Sequence, residues 1–230
     1  MQKIYSYFSV TKYALAIALL FSVTAASVYA SSTSNFTLTI NAGTLSIDIV
    51  DTTSSYASVG SPTVAFGAVS VPLVCPGTNA TGTLGTATQS IYIQNPDAAD
   101  NGWTASIAAS ATTAVWDSTG TDFDFNDPSG SGCTDGADTD SVSGQLTVNP
   151  SVASIGEGQY SEVDTGVSLG SSSAFNEGTT DSITIVSATA GSVDVGDWTV
   201  QGVSLSNTIP AGQPAAADYD INMVLSIVAL

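Results

Sequence analysis

The sequence predicts an all-β protein, an antiparallel β-sandwich or barrel-like domain carrying one long acidic loop. Three observations lead there. Nine short segments rich in β-branched and aromatic residues mostly alternate apolar with polar positions, each bounded by Gly, Pro, Asn, Asp or Ser. No stretch beyond residue 30 sustains a helical repeat, and frequent β-branched, Gly and Ser positions disfavour helix. With 43% hydrophobic and 10% charged residues, the composition is that of a folded chain and the reverse of a disordered one.

The first element is not part of that fold. Lys3 and Lys12 precede an apolar run from Ala14 to about Val23, and small residues follow up to Val28-Tyr29-Ala30. This is the order of a secretory signal peptide over residues 1–30, with the mature chain starting at Ser31. The apolar run is about half of the ~20 residues a spanning helix needs, so no membrane span is expected after cleavage. Cleavage also removes both basic residues. Residues 31–230 then carry 20 carboxylates and no Lys, Arg or His, a formal charge of −20. Such a polyanion cannot neutralise phosphates, which excludes nucleic acid, and anionic lipid repels it. The expected location is secreted, at the cell surface. Stability has to come from apolar burial, backbone hydrogen bonds and any bound cations, because ordinary salt bridges are unavailable to it.

FTLTI (36–40) and TLSIDIV (44–50) are the first strand candidates. Their apolar positions shift from even to odd numbers across Asn41-Ala42-Gly43, which a tight hairpin or a bulge would produce. TVAF (63–66), SIYIQ (90–94) and WTASIA (103–108) follow. Cys75 and Cys133 are the only cysteines, and an even pair in an exported protein predicts a disulfide. Closing that loop would stabilise by roughly 4 kcal/mol in the chain-entropy account. Residues from about 109 to 140 read as a loop insertion. GQLTV (144–148), DSITIVS (181–187) and DWTVQ (197–201) return to the strand pattern. YDINMVLSIVA (219–229) alternates without error through Tyr219, Ile221, Met223, Leu225 and Ile227. No linker-like change of composition splits the chain, so residues 31–230 are expected to form a single domain.

Within the insertion, residues 122–140 read DFDFNDPSGSGCTDGADTD. Asp122, Asp124, Asn126 and Asp127 place hard oxygen donors close together, which is what calcium requires. Asp135, Asp138 and Asp140 would close the site if Cys133 pins the loop back. The match to an EF-hand is poor, since Asp127 stands where Gly belongs and Cys133 where a bidentate Glu belongs. A plainer alternative explains the same residues: a short strand with Phe123 and Phe125 inward and its acids in water. Both readings stay open. Nucleophilic catalysis lacks a His or Lys base, and phosphoryl transfer lacks cationic clamps, so no catalytic residue is assigned. Asp164-Thr165-Gly166 matches the tripeptide of aspartic proteases, but it occurs once, with Glu162 where those enzymes are apolar, and reads as a surface turn.

Trp103 and Trp198 each follow a turn and start a strand, in NGWTASI and GDWTVQG. Core packing accounts for both. Together with Ile209-Pro210-Ala211 after the second and the terminal YDINMVLSIVA strand, they resemble the WxL-type surface proteins, with Ala105 and Val200 in place of that family's Leu. The resemblance implies a secreted β-rich protein of a bacterial cell envelope, non-enzymatic, held non-covalently at the wall or used in adhesion. Its partner would be an envelope component or a neighbouring surface protein. Two rivals remain: a self-assembling subunit of a surface filament or layer, hence a homo-oligomer, because the last strand is free to pair with a neighbour; and a carbohydrate-active enzyme working with two carboxylates.

Overall fold

The computed structural model describes residues 37–39, 41, 43–97, 101–127, 143–160, 165–191 and 195–230. By compactness the chain divides into Met1–Ile40 and Asn41–Leu230. In the first unit only Thr37, Leu38 and Thr39 are described; they are exposed and form no regular structure. The expected signal peptide, Phe36 and Ile40 lie outside the described residues, so the hairpin-or-bulge question at 41–43 stays with the sequence.

The second unit is all-β. Its strands are β1 (Ser46–Asp51), β2 (Ala57–Ser58), β3 (Thr78–Leu84), β4 (Ser90–Asn95) and β5 (Gly102–Ala109). After them come β6 (Val115–Trp116), β7 (Phe123–Asp124), β8 (Gln145–Asn149), β9 (Ser154–Glu157) and β10 (Val167–Leu169). The last five are β11 (Ser173–Ala174), β12 (Ser182–Thr189), β13 (Gly196–Gln201), β14 (Val203–Ile209) and β15 (Met223–Ala229). All pairings among the named strands are antiparallel, in three larger sheets ordered β2-β1-β4-β13-β9, β10-β12-β5-β15 and β11-β8-β14-β3, plus the small pair β6-β7. No described helix is long and apolar enough to cross a membrane.

Alternation fixes which face of each strand is buried. In the first sheet Ile49 pairs with Ile91, and Ile93 lies between Ile47 and Trp198, so the centre of one face is apolar. The other face carries Ser46, Asp48, Tyr92, Gln94, Asp197 and Thr199. Trp103 and Trp198 are both fully buried, with ring centroids 5.5 Å apart, and this contact joins the β5 sheet to the β13 sheet. A β-bulge between Thr184 and Val186 lets Ile185 and Val186 both reach the core.

Several sequence expectations need correction. TVAF (63–66) is extended but is not a strand. Only Gly67 N, donating to Thr81 O at 2.8 Å, ties this stretch to β3, while Val64 and Phe66 pack against the core. Conversely, β3 and β14 were not anticipated. Residues 109–127 of the expected loop carry β6 and β7, and bury Trp116, Phe123 and Phe125. Trp116 and Phe123 stack at 5.9 Å, and Thr119 N and Oγ1 donate to Asp218 Oδ2 at 3.1 and 2.7 Å. Cys75 is not a free thiol; Cys133 lies outside the described residues.

Candidate functional site

The acidic stretch is described up to Asp127. Asp122 is half-buried, and its Oδ1 accepts from Ser118 N at 3.0 Å. Asp124, Asn126 and Asp127 are almost completely buried, at 1%, 2% and 1% exposure. This overturns the expectation that the acid face of a DFDF strand meets water. The strand is only two residues long, and the chain beyond it is covered: Asp124 N donates to Ser143 O, Leu146 N to Phe125 O and Asp127 N to Gly144 O. Gly144, at φ +146°, allows that close approach, because a Cβ there would collide with the Asp124 carbonyl.

The oxygens of this pocket are partly spoken for. Asp124 Oδ1 accepts from Phe125 N at 2.6 Å and from Asn126 N at 3.4 Å. Asn126 Nδ2 donates to Thr112 O at 2.9 Å, while its buried Oδ1 has no hydrogen-bond partner. Among the described residues no three His, Cys, Asp or Glu side chains come together to hold a metal. Asp135, Asp138 and Asp140 lie outside the described residues, as does Asp164 of the Asp-Thr-Gly fragment.

The two motif tryptophans are interior residues, so their rings touch no external surface. Sequence reading identified them correctly as strand starters and core. It did not find a groove that the described residues form. Between β15 on one side and β3 with residues 62–66 on the other lies a groove of about 740 Å³. Its walls include Ile107, Trp116, Leu146, Leu205, Met223 and Leu225, and Asp220 is the one acid among its described lining residues.

Among the described strands, both flanking strands are edges of their sheets. The exposure pattern of β15 differs from that of its sheet-mate β12. On β12, Ile183 and Ile185 are 3% and 0% exposed, whereas Met223, Leu225 and Ile227 on β15 stay only half-buried. On its outer face Val224 and Val228 are 49% and 62% exposed. The sequence signal was present in the unbroken alternation of 219–227, but alternation alone does not show that a strand lacks a second neighbour.

No protein-family model, curated protein or solved structure matches this chain.

Proposed function

We propose that this chain is an exported, non-enzymatic structural protein of the cell surface that assembles by adding a strand of one copy to the open groove of the next. The observation that carries this reading is β15: an edge strand with a regular apolar face left half-buried over a groove of about 740 Å³. Strand addition supplies main-chain partners along the edge of β15 that no described strand occupies, and covers that face.

The occupant is the 36–40 segment, Phe-Thr-Leu-Thr-Ile, of a second copy. Its apolar residues alternate, so an extended strand presents Phe36, Leu38 and Ile40 on one side. Leu38 is an apolar side chain at 84% exposure. Residues 31–47 are also uncharged, whereas all 20 carboxylates follow. This is the part of a polyanion that approaches another copy with least repulsion, and it enters a groove with a single acid among its described lining residues. Donor and acceptor surfaces differ, so the contact is head-to-tail, and it propagates into an open filament wherever the rotation between copies does not close a ring. The mature chain at micromolar concentration is expected to form filaments by negative-stain microscopy and a concentration-dependent ladder by sedimentation. A monomer at every concentration would sink the proposal.

Export and the disulfide are tested together by intact-mass measurement of protein from its native host. The expected mass starts at Ser31 and is two hydrogens short of the reduced chain, with Cys75 joined to Cys133. A mass including residues 1–30, or both thiols free to alkylate without reductant, contradicts this part.

Calcium belongs to the same proposal. Asp124 and Asp127 are buried in a mature chain that has no cationic side chain, and buried carboxylates demand compensation. Asn126 Oδ1 beside them is a buried acceptor awaiting a partner. With oxygens from Asp122 and from Asp135, Asp138 or Asp140, this set has the hard-donor character calcium takes. At a hundredfold excess over Kd, calcium is expected to stabilise by about 2.7 kcal/mol. Magnesium at equal concentration controls for screening, because it demands tighter octahedral geometry. Equal thermal shifts with both ions would reduce the cluster to a hydrogen-bonded turn.

Association with the envelope, which the WxL resemblance implies, is a second reading. A tyrosine-lined hollow on the outer face of the β1–β4 sheet favours it.

A further inference from the structure

On the polar face of the first sheet, away from the groove, lies a hollow of about 340 Å³, at the small end of the ~300–1,000 Å³ typical of ligand pockets. Its floor is built from the cross-strand pairs Ser46–Gln94 and Asp48–Tyr92 of β1 and β4. Two loops wall it: the turn after β1, carrying Tyr56, and the segment after β9, carrying Gln159 and Tyr160.

The walls are anchored. Asp197, 3% exposed, accepts at Oδ2 from Tyr92 Oη at 2.6 Å, from Gln159 N at 2.6 Å and from Tyr160 N at 2.9 Å. One carboxylate thus holds the second loop against the sheet and orients a floor tyrosine. A Cβ on Gly158 would collide with that carboxyl group, so the loop can close over it only with glycine there. Tyr56 packs on Tyr92 at 5.1 Å, and Gln159 Nε2 donates to Ser55 O at 3.3 Å, linking the two loops. Ser55 and Tyr56 are the two described non-glycine residues with positive φ, 55° and 57°. A tyrosine in that region is an outlier, and such strain concentrates at working sites. Tyr160, meanwhile, stands 76% exposed at the rim, where core packing gives it no role.

We infer that this hollow is a binding site for a neutral glycan. Tyrosine rings offer flat apolar faces to the C–H side of a pyranose, while Gln94, Gln159, Asp48 and Ser46 supply the paired donors and acceptors that hydroxyl groups require. No cation lines the hollow, and the mature chain carries −20, so sulfated, phosphorylated or uronic sugars are repelled. A lipid chain is excluded by the polar floor. The inference is independent of strand addition, since no residue lines both the hollow and the groove.

The test is calorimetric titration of the mature chain with cellotetraose, maltotetraose and chitotetraose, and separately with choline. At least one tetrasaccharide is expected to bind. Tyr160→Ala should weaken it about tenfold, the loss of roughly 1.4 kcal/mol of stacking, while Tyr160→Phe should stay within about twofold. Tyr160 is exposed, so neither variant disturbs folding, and an unchanged melting temperature checks this. Absence of binding by all three sugars, or equal affinity in Tyr160→Ala, overturns the inference. Choline binding that displaces the sugar also overturns it, because the tyrosines would then form a cage for a quaternary ammonium.

Discussion

A mature chain lacking residues 31–41 is expected to remain monomeric where the intact chain assembles, with its fold unchanged. The described residues of that stretch, Thr37, Leu38, Thr39 and Asn41, are exposed and belong to no strand, so their removal strips nothing from the core. What it removes is the proposed donor. Leu38→Asp makes the sharper variant, because one carboxylate would have to enter an apolar groove already flanked by Asp220. Burying that charge without a partner costs several kcal/mol, so self-affinity should fall by at least ~100-fold. Leu38→Ile keeps both the alternation and the apolar contact, and should assemble like the parent. Sedimentation of the four proteins side by side reads the result, and assembly of the truncated chain at parental concentration would contradict the donor assignment.

The second large effect is expected at Asp197. Its Oδ2 collects three donors from two other segments, and bonds to a charged acceptor are worth about 1.5–3 kcal/mol each. Tyr160 lies in water, so its backbone donor is partly rehydrated when the acceptor goes. A net loss of about 3 kcal/mol is therefore expected for Asp197→Ala, or a fall in melting temperature of roughly 6–12 °C for a domain of this size. The truncated monomer is the proper background, because assembly would mask the change. Burial, and then Asp197, hold the Tyr92 phenol well above its ordinary value of 10, so in Asp197→Ala that phenol should titrate at lower pH. Tyr92→Phe removes one of the three donors and should cost about 1.5 kcal/mol. Together with Asp197→Ala its effect should be less than additive, since both changes delete the same bond. A change within ~0.5 kcal/mol for Asp197→Ala, the level of an ordinary surface substitution, would show that the carboxylate does not hold the loop.

The strands with strong alternation were legible in the sequence, and the structure explains those that were not. TLSIDIV, SIYIQ, WTASIA and DWTVQ each use their own β-branched or aromatic side chains to fill the core, so their period is visible. In β3, TNATGTL, the inward positions are Ala80, Gly82 and Leu84, because Val64 and Phe66 come in from a neighbouring segment and lie over Gly82. The apolar signal thus sat in TVAF, which is not a strand, and was missing from β3, which is. Asp124 misled for a related reason. Alternation assigns a face only when a strand is long enough to have two, and β7 ends after Asp124 itself. In the sequence Asp197 reads only as the first residue of the DWTVQ strand. Its three donors lie 37 to 105 residues away, a distance over which no local pattern operates.

The most direct measurement of strand addition is hydrogen exchange on β15 itself. A synthetic peptide of residues 31–41 is added to the chain that lacks them, and exchange of the β15 amides is followed with and without the peptide. Amides on the β5 side are already bonded within the sheet. The proposal predicts that the alternate amides of Met223–Ala229, those facing away from β5, become slow to exchange when peptide is present, and that peptide carrying Leu38→Asp has no such effect. Exchange at those amides that is equally fast with saturating peptide, or slowed equally by the aspartate peptide, would contradict it.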